Sequence, residues 1–321
     1  MKKQLLIAAV AATMTSVATA DISITGGAKV NYTNVDGGTA VTTASNLFKH
    51  DMDLTVKGNS GDTNVVMVVS NAKASTNAVS GSLAVEDVYL TSKIGDVNVK
   101  LGQYQSTSDS MISNATSSTR NSGRFTADTT IGGVKITYVD QNDSAEAIIL
   151  SGEVSGVALS HKMGNAGAGS TNDYTDTKVS ATVGGVDLYY RTKDYDAASS
   201  ADFDVVKVSA NVGDIALTYA QAEASTAAGT FSMEDVFGEY NTINTTKGVK
   251  ASTSVAGNKV AVAMYENTAA SSNVSSDYTK VIITRPLASG ATFEATYTDL
   301  DAAAGSTSDS KTLDLELAVK F

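Results

Sequence analysis

Leu313-Asp314-Leu315-Glu316-Leu317-Ala318-Val319-Lys320-Phe321 decides the fold. Leu313, Leu315, Leu317, Val319 and Phe321 alternate with Asp314, Glu316, Ala318 and Lys320, so an extended chain puts an apolar face opposite a polar one. A soluble sandwich uses the same alternation on an edge strand. A barrel strand with Phe321 in an interfacial aromatic girdle accounts for both the alternation and the final aromatic.

The other end of the chain bears on that choice. Residues 1–20 read as a secretory signal peptide: Lys2 and Lys3 lead, Leu5 to Ala12 are apolar, and Ala18-Thr19-Ala20 precedes Asp21 as a small-residue cleavage site. Thr13, Thr15 and Ser16 interrupt the apolar run too early for a spanning helix, and no other segment has the roughly 20 apolar residues one needs. In a membrane the exported chain must therefore be a closed barrel, which satisfies its backbone groups between strands.

The 321 residues contain no Cys, 1 Pro and 26 Gly. No disulfide framework is available, and the low Pro and frequent Gly suit hydrogen-bonded ladders joined by tight turns. The net charge is −11, or −13 without the two leader lysines, which argues against nucleic acid as a partner. In a water-filled channel it favours cations or neutral solutes over anions.

No linker divides residues 21–321. Short turns fall near Gly58–Asp62, Gly95-Asp96, Gly132-Gly133, Ser155-Gly156, Gly184-Gly185, Gly213-Asp214, Gly257-Asn258 and Pro286–Gly290. Most open an alternating run, such as Val134/Ile136/Tyr138 or Ile215/Leu217/Tyr219. Longer Ser/Thr/Asn/Asp/Ala-rich connections lie between them, among them Gly164–Tyr174, Asp194–Asp202 and Ala224–Tyr240. Short connections on one side and long ones on the other describe an all-β, antiparallel up-and-down transmembrane barrel. Eight turns and two terminal strands give 18 strands; if Ser155-Gly156 and the connection near Asn142–Ala145 are not turns, the count is 16.

The run Asp87–Gln103, with an aromatic strand, a Gly95-Asp96 turn and the Leu101-Gly102-Gln103 end, resembles the strand–turn–strand of Gram-negative general porins. Asn121–Asp128 resembles the strand by which their third external loop returns, and the leader and Phe321 also match. The resemblance implies a homotrimer of barrels, usually of sixteen strands, in the outer membrane among lipid and lipopolysaccharide. It implies insertion by the barrel-assembly machinery through the C-terminal strand, with Phe321 as its signal. It also implies a third loop, at about residues 105–120, folded into the lumen. Here that loop is short, lacks the family's Pro-Glu-Phe-Gly-Gly stretch and carries one carboxylate, Asp109.

Alternation places Lys49, Asp51, Asp53, Lys57, Lys100, Arg124, Asp128, Lys135, Asp187, Arg191, Lys193, Lys250, Glu294, Asp314 and Glu316 on inward faces. On that basis Lys57, Lys100 and Arg124 face Asp109 across a constriction and set a transverse field. Tyr32, Tyr104, Tyr138, Tyr190, Tyr219, Tyr265 and Tyr297 are candidates for an aromatic belt.

Catalytic readings find little support. His50 and His161 adjoin no nucleophile motif, and Asp51 points away from His50. Glu234-Asp235 and Asp299/Asp301 lack calcium-loop spacing, and Gly164-x-x-Gly167-x-Gly169 has no helix after it to cradle phosphate. No enzyme, metal or cofactor is expected. The expectation is a passive porin for small hydrophilic solutes; the alternative is a secreted or surface-attached β-rich structural protein or adhesin.

Overall fold

The computed structural model describes residues 21–37, 46–71, 83–104, 123–141, 145–165, 173–196, 202–225, 231–232, 234–237, 240–241, 243–269, 274–302 and 309–321. Eighteen strands form one sheet: β1 (Asp21–Gly37), β2 (Asn46–Ser60), β3 (Thr63–Asn71), β4 (Leu83–Ile94), β5 (Val97–Gln103), β6 (Arg124–Ile131), β7 (Val134–Gln141), β8 (Ala145–Val154), β9 (Val157–Asn165), β10 (Asp173–Val183), β11 (Val186–Tyr195), β12 (Phe203–Val212), β13 (Ile215–Ala224), β16 (Ile243–Val255), β17 (Asn258–Ala269), β18 (Ser275–Pro286), β19 (Ala291–Asp301) and β20 (Ser310–Lys320). Between β13 and β16 lie a two-residue ribbon, β14 (Phe231–Ser232) with β15 (Tyr240–Asn241), and one helical turn, Glu234–Phe237.

Each strand pairs antiparallel with its neighbour in sequence, β13 pairs β16, and β1 pairs both β2 and β20. The sheet is thus a closed up-and-down barrel. Its 18 strands agree with the count from turns. They correct the sixteen implied by the family resemblance, because Ser155-Gly156 is a genuine hairpin and Asn142–Ala145 separates two strands.

All eight expected turns are present at one end of the barrel. Gly132-Gly133 shows why glycine recurs there: φ is +59° and +83°, the double left-handed step that matches the twist of a two-residue hairpin. Near Gly257-Asn258 the turn is one residue earlier than expected, with Ala256 itself at φ +49°. The seam between β1 and β20 is closed by reciprocal backbone bonds: Gly26 N–H donates to the Phe321 carbonyl at 2.7 Å, and Phe321 N–H donates to Gly26 at 2.9 Å.

Large apolar side chains point outward. Leu317 and Phe321 are 49% and 62% exposed, and Leu90, Leu101, Ile148, Leu159, Leu188, Leu217 and Met264 are likewise exposed. Hydrocarbon outside the wall makes this arrangement favourable, whereas in water it would leave a very large apolar patch uncovered. The densest burial is on the inner side, where Phe203, Val205, Ala220, Ala222, Val236, Phe237, Ala263 and Tyr265 cluster.

Candidate pore lumen

Register and alternation fix which side chains face the interior. On β5, exposed Val97 and Leu101 place Asn98 and Lys100 inside. On β10 and β11, exposed Val183, Leu188 and Tyr190 place Asp176, Arg191 and Lys193 inside. The same rule puts Lys57, Arg124, Asp128 and Lys135 inside, and Lys135 approaches Asp128 at 3.4 Å.

One stretch of inner wall, from β4 to β11, is built of cations on tyrosine faces. Lys100 Nζ lies 3.8 Å from the Tyr89 ring centroid and 3.9 Å from that of Tyr104. The Arg124 guanidinium sits 5.4 Å over the same Tyr104 ring. Tyr104 is fixed by a 2.6 Å bond between its hydroxyl and Thr126 Oγ1. On β9 to β11, Lys193 Nζ is 4.6 Å from both the Tyr174 and Tyr195 centroids, and Lys162 is 5.2 Å from Tyr174. Gly164 makes room for them, since a Cβ there would meet the Tyr174 ring at 2.7 Å. Beneath, Arg191 grips Asp176 with both arms: Nε to Oδ1 at 2.8 Å and Nη2 to Oδ2 at 2.5 Å, with both side chains almost fully buried.

Half-way round the ring, the seam carries carboxylates. Glu316 accepts from Asn31 Nδ2 at 2.8 Å and lies 3.7 Å from Lys29 Nζ, and Asp314 accepts from Thr33. On β19, Glu294 accepts from Thr284 at 2.9 Å.

The connection after β13 enters the barrel. Phe237 and Val236 are 1% and 3% exposed against β12, β13 and β17, where Val205, Ala220, Ala222 and Ala263 form the bed. Phe237 stacks on Tyr265 at 4.9 Å and 13°, and Tyr265 on Tyr278 at 4.8 Å and 4°. Gly248 permits the stack, because a Cβ there would collide with Tyr265. Below Val236 is a recess of about 350 Å³ lined by Lys207, Lys250, Lys259 and Glu294. Sequence reading missed this inward segment. The apolar pair Val236-Phe237 within an otherwise polar connection was its signal.

Of the expected constriction residues, Lys100 and Arg124 come together around Tyr104. Lys57 also faces inward, opposite Val66 in register, but two strands separate it from β5. Asp109 and the segment 105–120 lie outside the described residues. Tyr138, Tyr190, Tyr219 and Tyr297 are exposed on the outer wall, whereas Tyr104 and Tyr265 are 5% and 3% exposed within the lumen, which corrects their assignment to the belt. His50 pairs in register with Val30 on the outward face, and His161 bonds Thr177 at 2.8 Å there, away from the lumen groups. Among the described residues no group of three or more His, Cys, Asp or Glu is placed to hold a metal.

No protein-family profile and no curated protein sequence matches the chain. Solved structures do. OccK11 (OpdR) of Pseudomonas aeruginosa superposes with TM-score 0.69 and 9% identity over 94% of this chain and 96% of that one. An engineered variant of the Rhodopseudomonas blastica porin superposes with TM-score 0.57 and 11% identity over 94% of this chain and 100% of that one. At such identities the likeness is one of fold: this is the barrel architecture of Gram-negative porins.

Proposed function

We propose that the chain is an outer-membrane porin, a water-filled barrel through which small hydrophilic solutes and ions diffuse passively without covalent chemistry. The observation that carries this is the sorting of side chains: leucine, valine and isoleucine on the outside of a closed ring, lysine, arginine and carboxylates on the inside. Charges on the inner face avoid the cost of about 2–4 kcal/mol that Arg or Lys incurs at mid-bilayer on the lipid face. A secreted adhesin has no use for the outward apolar band.

The same reading includes export through a cleaved leader at residues 1–20 and a single barrel domain over 21–321. It includes assembly through the β20 strand and its Phe321, a homotrimer, and lipopolysaccharide around the outer rim. Asp109 remains a candidate for the constriction with Lys57, Lys100 and Arg124, and no enzymatic role is assigned. The net charge behind the expected weak cation or neutral preference is spread over both faces of the wall. Asp140, Glu146, Asp194, Asp204, Glu223, Glu266 and Asp299 alternate onto the outward face towards the long-connection end, so they do not line the lumen.

Purified protein in a planar bilayer tests the proposal. Stepwise conductance and flotation with outer membranes are expected; release as a soluble monomer without detergent, with no conductance, would overturn it.

A further inference from the structure

We infer that the lumen is an anion path, with a binding step for small oxyanions (carboxylate or phosphate) where Lys162 and Lys193 converge on Tyr174, on the same wall as the Tyr104–Arg124 group. This deepens the porin reading and rests on it.

The chain as a whole is acidic, yet its acidity is distributed by face. From β5 to β11 the inner wall presents Lys100, Arg124, Lys162, Arg191 and Lys193. Lys135 and Lys178 share that face; its carboxylates are Asp128, approached by Lys135, Asp176, engaged by both arms of Arg191, and Glu153 and Asp187 beside the short turns. Lys162 and Lys193 rest on tyrosine rings. A ring face attracts an ammonium through its quadrupole but takes up its N–H donors only weakly. Those donors suit an arriving oxyanion, which forms shorter and stronger charge-assisted bonds.

The facing wall carries carboxylates too, Asp51 and Asp53 of β2 among them, but alongside Lys29, Lys49, Lys57, Lys207, Lys250 and Lys259. Glu316 holds Lys29 and Asn31, Asp314 holds Thr33, and Glu294 holds Thr284 beside a recess lined by three lysines. Among the described residues the inward cations of the β5–β11 wall, opposite the seam, outnumber its inward carboxylates. Attachment by ring faces also suits transport, since conduction needs a site that binds an ion and lets it go.

The test is the zero-current potential of the wild-type channel across a potassium chloride gradient, followed by chloride current with phosphate or succinate added. An anion-selective sign and block by at least one probe are expected, the probe that blocks naming the source. Lys193→Gln and, independently, Lys162→Gln should each lower the anion-to-cation permeability ratio about twofold and weaken the block. The outward control Asp204→Asn should change neither. A cation-selective wild type, or a ratio insensitive to both lysine variants, would overturn the anion path. Failure of both probes to block would overturn the binding step. Absence of any conductance would instead remove the porin reading beneath it.

Discussion

Tyr190 and Arg191 are adjacent in the chain and live in different surroundings. Tyr190 points outward and donates to Asp204 at 2.8 Å in an exposed pair. Arg191 points inward and is locked to Asp176 in a pair that is 5% and 6% exposed. Both involve a carboxylate on a neighbouring strand, but only the inner one has left water. In this fold a charge has meaning only with its face attached, and a net charge summed over both faces says little about what the lumen attracts.

The comparison breaks most readily at the seam. Leu315→Arg puts a cation on the outward face and should abolish assembly into outer membranes, whereas Glu316→Gln, one residue on, should assemble normally; heat-modifiable migration in detergent reads both. Equal yields would show the faces to be assigned wrongly. Next in size is Asp176→Asn, which strips Arg191 of its buried counter-charge and should cost about 3 kcal/mol in denaturant unfolding of the detergent-held barrel. Phe237→Ala should leave assembly intact but loosen the inward segment, seen as larger and noisier single-channel current; unchanged conductance would mean that this segment does not narrow the path. The smallest effect belongs to Asp204→Asn on the outer wall, expected within about 0.5 kcal/mol of wild type in the same unfolding assay.

Much of this was legible because it is local. The turns were marked by Gly132-Gly133 and its counterparts, and period-two alternation assigned Lys100, Arg124 and Arg191 to the interior without reference to any distant residue. The turn count gave 18 strands where family likeness suggested fewer. Parity already places Tyr265 in the interior, since Val262 and Met264 face outward. The docking of Val236-Phe237 was harder to see, because its bed is made by Ala220, Ala222 and Ala263, small residues that carry no signal until three strands lie side by side. The gathering of Lys162 and Lys193 on Tyr174 depends likewise on β9, β10 and β11 lying side by side, which no local pattern encodes.

The bonds between Gly26 and Phe321 tie together strands whose side-chain partners, Asn31 and Glu316, stand 285 positions apart. Until they meet, the sheet is a ribbon with two raw margins, each able to recruit a foreign strand. Such distant closure is intrinsically slow. The organism making this cylinder must therefore shield an unfinished edge for as long as the ring stays open.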